Sequence, residues 1–197
     1  MTRTYRRRVL PLVLAFVAVA TACSDSGTRP RPARSAYNPF VILPSSRHVT
    51  YSTQAPAGHC LLGGTPPQVY PLWLCVPGAI VSGVNASNYH QTGCRPDYER
   101  RMRPPAAEIE GAKRRLREEF GPRIGTDWRL DWLVPLSLGG ANDIRNLWPA
   151  PVASAKLKRG VDADLRRAVC GGTVGLAAAQ TAISVNWTSA KASLGIE

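Results

Sequence analysis

Four cysteines spread through the body of an exported chain constrain this fold more tightly than its hydrophobic pattern does. Export is read from the start of the sequence. Arg3, Arg6, Arg7 and Arg8 form a cationic opening, and an apolar run from Val9 to Ala20 follows, interrupted only by Pro11. That run is too short to span a bilayer by itself and is followed by small residues, so residues 1–22 read as an export signal. Beyond Cys23, at the edge of this leader, remain Cys60, Cys75, Cys94 and Cys170. An even count in an oxidising compartment reads as two disulfides. Three pairings exist, and Cys60–Cys75 with Cys94–Cys170 is favoured. The first closes a Pro/Gly-rich segment, and the second ties the start of the core region to a late helix. Zinc is the rival use of these cysteines. It lacks a C-x-x-C pair and finger-spaced histidines, His59 beside Cys60 being the lone neighbour.

The stretch Ala20-Thr21-Ala22-Cys23 resembles a bacterial lipobox, in which cleavage precedes the cysteine and its sulfur is acylated. That implies a membrane-anchored lipoprotein with its domain on the extracytoplasmic side. The alternative is ordinary cleavage near Ala22, leaving Cys23 as an odd thiol. Loss of the four leader arginines takes the formal charge from +12 to +8, and 21 of the 25 cationic residues are Arg. A basic exported protein is expected to meet nucleic acid, an anionic envelope polymer or anionic lipid.

Residues 24–36, SDSGTRPRPARSA, offer nothing apolar to bury, so residues 23–36 read as a flexible tether. Residues 37–93 set short apolar runs among Pro, Gly and Asn, which suggests an irregular extension with a few short strands. A helix is expected after Pro104–Pro105, with Ile109, Ala112, Leu116 and Phe120 inward and Gly121–Pro122 as its stop. A second is expected from about Ala153 to Cys170, with Leu157, Val161, Leu165 and Val169 inward and Lys158, Arg159, Asp162 and Arg166 off the stripe. A third should run from about Leu176 to Trp187, with Leu176, Ala179, Ile183 and Trp187 inward. The order helix, strand-turn-strand, helix, helix predicts a small α+β domain over residues 94–190.

Between the first two helices lies DWLVPLSLGGANDIRNLWP, residues 131–149. It resembles the ββα-metal core of HNH endonuclease-like proteins, which typically reads D-H-x-x-P-L-x-L-G-G-x-N…N-L-W-P. TGCRPDYERRMRPP (92–105), AKRRLREEFG (112–121), AVCGG (168–172) and AAAQTAISVNW (177–187) are similar, in the same order, to an exported bacterial branch of that family. The resemblance covers roughly residues 75–187. It implies a ββα-metal core with flanking helices, a divalent metal such as Mg2+, and phosphodiester hydrolysis. In such sites a carboxylate holds the metal, a histidine deprotonates water, and the metal carries the charge on the departing oxygen.

Asp131 matches the carboxylate position and Asn146 the Asn position, while Asp162 stands where a Glu is common and would be the second metal ligand. Trp132 occupies the histidine position. An indole has one N–H donor and no basic nitrogen, so it cannot accept the proton from water. Arg159, in Lys158–Arg159, replaces the carboxylate of a Lys-Asp pair. Both departures point to impaired chemistry. Plainer readings stand beside these: Asp131 as a turn residue, Asn146 as a loop clasp, Trp132 as core or as an exposed stacking surface. Among the histidines, His90, just before Cys94, is the candidate substitute base. The basic faces carrying Arg114, Arg117, Arg145, Lys158 and Arg159 are either solvated surface or a nucleic-acid footprint. Three functions remain in competition: a non-cutting polyanion-binding lipoprotein, an active metal-dependent endonuclease, and a structural envelope lipoprotein.

Overall fold

The computed structural model describes residues 41–52 and 55–197; the expected leader, Cys23 and the tether lie outside them. Among the described residues, three two-stranded sheets and five α-helices make an α+β fold. β1 (Val41–Leu43) runs parallel to β4 (Ala79–Val81), and β2 (Leu62–Thr65) is antiparallel to β3 (Gln68–Pro71). β5 (Trp128–Trp132) pairs antiparallel with β6 (Leu147–Pro151), Trp132 facing Leu147 and Trp128 facing Pro151. α3 (Val152–Cys170) leaves β6 without a gap. β6 tolerates Pro149 and Pro151 because they fall at alternate positions. The bonds bracketing the ladder, Leu133 N–H to Asn146 O at 2.7 Å and Val152 N–H to Asp127 O at 3.3 Å, put both prolines opposite non-hydrogen-bonded partners, Leu130 and Trp128.

Both disulfides pair as favoured from the sequence, Cys60–Cys75 and Cys94–Cys170, each with Cα atoms 5.7 Å apart. In the chain-entropy picture the second, spanning 76 residues, stabilises by about 4 kcal/mol. It also clamps α1 (Tyr98–Met102) and the segment before it near the end of α3. The two disulfides are consistent with an exported protein. No helix among the described residues is long and apolar enough to cross a membrane.

α2 (Ala106–Phe120) starts at the proline pair and buries Ala112, Leu116 and Phe120, as its period predicts, while Ile109, also expected inward, is only half-buried in the first turn. α4 (Leu176–Asn186) buries Leu176, Ala179 and Ile183, with Trp187 buried just beyond it, and the short α5 (Ala190–Ser193) follows. α3 departs from expectation. Leu157, expected inward, is 45% exposed, whereas Lys158, expected outward, is 0% exposed. Its buried stripe is Ser154, Ala155, Lys158, Leu165 and Val169. The helix faces β5 and β6 through a charged pair, Lys158 and Asp162, one turn apart, which an apolar count cannot register.

The N-terminal extension shares the same core. Val49, Val76, Ala79, Ile80 and Val81 are buried with Leu138, Ala141 and Ile144. Val81 N–H donates to Gly139 O at 2.9 Å, and Thr50 N–H to Asn142 O at 2.8 Å. The extension therefore braces the loop between β5 and β6 from outside.

Candidate functional site: an arginine-rimmed cleft over a captive ammonium

The β5–β6 loop turns at Pro135, passes through one 3-10 turn at Leu136–Leu138, and reverses at Gly139 and Gly140. Gly139 sits at φ +78°, a left-handed conformation that glycine adopts without strain. At Gly140 the reason is space: an added Cβ would lie 1.8 Å from Val134 O. Asn146 clasps the loop. Its Oδ1 accepts from Val134 N–H at 2.9 Å, and its Nδ2 donates to Val134 O at 2.9 Å and Ala141 O at 3.0 Å. Fully buried and committed to backbone, Asn146 shapes the loop and does not line the cleft.

Asp131 and Asp162 do come together, from β5 and α3, across Lys158. The Lys158 ammonium donates to Asp162 Oδ1 and Oδ2 at 2.9 and 3.0 Å and to Trp132 O at 2.8 Å, and lies 3.7 Å from Asp131 Oδ1. Burial pulls the lysine pKa down, but the two carboxylates outweigh it and hold the amine above its ordinary 10.5. Asp162 is pushed up to about 7: burial raises it and Lys158 lowers it, while Asp131 raises it again. One ammonium is thus shared between two carboxylates.

Trp132 is buried, not an exposed stacking surface. Its Nε1–H donates to Asn142 Oδ1 at 2.9 Å, and Asn142 Nδ2 donates to Met102 O at 2.7 Å and Ser46 O at 3.0 Å. The Arg103 guanidinium lies over the indole, 5.1 Å from its centroid. The ring is therefore a strut joining β5, the end of α1 and the N-terminal extension. Asn142 was not singled out from the sequence, although it stands in the same GGAN string.

Above these residues opens a cleft of about 400 Å³. Arg95, Arg103, Arg129, Arg159 and Arg166 line it, against Glu99, Asp131 and Asp162. Arg166 also braces the wall, donating to Gly93 O at 2.7 Å and Cys94 O at 2.8 Å. Of the expected basic residues, Arg159 alone lines this cleft. Lys158 is sealed beneath it. Arg145 is turned onto buried Asp143, Nε to Oδ1 at 2.7 Å; burial raises that carboxyl, but Arg145 and Thr50 outweigh it and hold it below its ordinary value. Arg117 lies over Trp128, 5.6 Å from the ring centroid, and Arg114 is exposed on α2. The sequence held two signals for the missed arginines. Arg129 shares the Asp131 face of β5 by strand alternation, and the Cys94–Cys170 bond brings Arg95 toward α3.

The donor set suits an ammonium better than a divalent metal. Lys158 already places a cation within 3.7 Å of both carboxylates, and no group of three His, Cys, Asp or Glu gathers among the described residues. No histidine lines the cleft. His48 Nδ1 pairs with Glu108 at 2.7 Å, and His90 is exposed on the 3-10 turn Tyr89–Gln91. No family model, curated relative or solved structure matches this chain.

Proposed function

We propose that this chain is an exported, HNH-nuclease-like lipoprotein that holds nucleic acid, or another phosphate-bearing polyanion, in the arginine-rimmed cleft without hydrolysing it. The observation that carries the reading is the charge distribution there. Five arginines line the opening, and the two central carboxylates already share the Lys158 ammonium. The cleft is therefore net cationic, and guanidinium groups suit bidentate contact with phosphate oxygens. The strand-loop-strand-helix order around Asp131 supports the nuclease-like scaffold. Loss of hydrolysis is supported by Trp132, whose indole is spent on Asn142 and offers no basic nitrogen. A positioned general base contributes roughly 10²–10⁴-fold to such a reaction.

The test is a mobility shift with single-stranded and duplex DNA across a salt series, read beside a cleavage assay in Mg2+ and Mn2+. Binding should weaken as salt rises, with a log–log slope of about −2 to −4 for a few phosphate contacts. Arg129→Glu and Arg159→Glu should each flatten that slope by about 1. Absence of binding at low ionic strength refutes the polyanion reading. Cleavage that disappears in Asp131→Ala refutes the claim of lost hydrolysis in favour of an active metal-dependent enzyme.

A further inference from the structure

We infer that the loop Leu72–Cys75 is a membrane-contacting element that seats Trp73 and Leu74 in the headgroup–acyl boundary of the bilayer. This rests on the export reading of the N-terminus and is independent of what the cleft binds. Trp73 is 65% exposed, Leu74 is 74% exposed, and Leu61, on the adjoining chain, is 43% exposed. Three large exposed apolar side chains on two segments joined by a backbone hydrogen bond are unusual in a surface otherwise rich in arginine.

The site is built rather than incidental. Cys60–Cys75 closes the segment, Leu72 N–H donates to Leu61 O at 3.1 Å, and Val76 N–H turns back onto Leu72 O at 3.1 Å. The loop is thus preorganised, and inserting it costs little ordering entropy. The surrounding sequence carries no ionised side chain of the ordinary kind: residues 60–94 contain no Asp, Glu, Lys or Arg. A charge dragged below the headgroups would oppose insertion, and here none is attached. Trp and Leu side by side are what the boundary accepts, an amphipathic ring beside an aliphatic anchor. At the edge of the patch, Arg123 lines the same hollow as Leu61 and Leu62; its Nη2 donates to Gly58 O, and its remaining N–H groups suit lipid phosphate.

The path of the chain selects the bilayer as the occupant. β1 enters the fold at Val41, whose N–H donates to Gly78 O at 3.2 Å. Gly78 is four residues from Leu74, at most about 14 Å of chain. The described chain therefore begins beside the foot of this loop. Cys23, the expected acylation site, precedes Val41 by 18 positions, at most about 65 Å of extended chain, so an anchor there would keep the loop within reach of the membrane.

The full-length chain, purified from bacterial membranes, is bound to phosphatidylcholine–phosphatidylglycerol vesicles with and without brominated acyl chains, and tryptophan fluorescence is read. Trp132, Trp148 and Trp187 are buried and Trp128 is half-buried, so quenching by bromine reports Trp73. The expected result is quenching in the wild type that is lost in Trp73→Phe. Leu74→Asp should weaken vesicle partition of a Cys23→Ser background roughly tenfold. Equal fluorescence in brominated and plain vesicles, with the chain sedimenting with both, overturns the proposal, as does a Trp73→Phe protein quenched like the wild type. Unchanged partition of Cys23→Ser with quenching intact withdraws the acyl anchor and supports the loop.

Discussion

Replacing Lys158 by methionine keeps most of the side chain's length and removes only its charge and donors. The structure sets the size of the effect. The ammonium makes three short bonds, to both oxygens of Asp162 and to Trp132 O, and approaches Asp131 at 3.7 Å, with no exposed surface of its own. Removing one partner of a buried ion pair costs about 3–5 kcal/mol, because the opposite charge is left without compensation. Asp131 and Asp162 each keep 18% of their side-chain surface, so water relieves part of this, and about 3 kcal/mol is expected. For a chain of this length that lowers Tm by about 6–12 °C. The assay is thermal and urea unfolding at about pH 8.5, above the Asp162 pKa of about 7 so that both carboxylates are ionised, with the disulfides intact. The triple variant Lys158→Met, Asp131→Asn, Asp162→Asn should recover most of the loss, because the stranded carboxylates are gone. A double-mutant cycle between Lys158 and Asp162 should give a coupling above about 1 kcal/mol. If Lys158→Met costs under ~1 kcal/mol, or its effect simply adds to that of Asp162→Asn, the ammonium is not the hub described here.

Two further outcomes are expected. Asp162 titrates higher in the fold than its ordinary 3.8, at about 7. Its protonated form is therefore favoured by folding, a contribution complete below 3.8 and lost as pH rises to about 7. Stability of the wild type relative to Asp162→Asn should fall between pH 4 and 7, and a flat difference in Tm over that range would refute the shift. Asn146→Ala leaves the Val134 amide and two buried carbonyls without their partners and should cost about 2–4 kcal/mol in urea unfolding; a loss below ~0.5 kcal/mol would show that the loop closes without its clasp.

Several features of this molecule were legible before any coordinates. The favoured disulfide pairing rested on which segments needed closing, and α2 and α4 followed from apolar residues recurring at helical spacing, although Glu119, Gln180 and Ser184 are buried beside those stripes. The Gly139–Gly140 turn was equally plain; the structure adds that a Cβ at Gly140 would strike Val134 O. α1 and α5, five and four residues long, are too short for a period to show. The face of α3 was misread for another reason. A residue-type pattern counts lysine as outward, and only the juxtaposition of β5 with α3 supplies the two carboxylates that let Lys158 be buried.

The candidate site divides in the same way. Asp131, Trp132 and Asp162 could be named from their positions in one string and one helix. Asn142 could not be recognised as the partner of the indole, because it meets Trp132, Ser46 and Met102 only once three distant segments converge. The cleft arginines come from the segment after Cys94, from β5 and from α3, and no spacing along the chain relates them. Sequence alone determined the longer helices, the Gly139–Gly140 turn and the absence of a basic nitrogen at position 132, since each depends on residue identity or short-range geometry. Tertiary structure decided which charges are spent inside and which face the cleft, because burial and Coulomb energy depend on distances that only the folded chain sets.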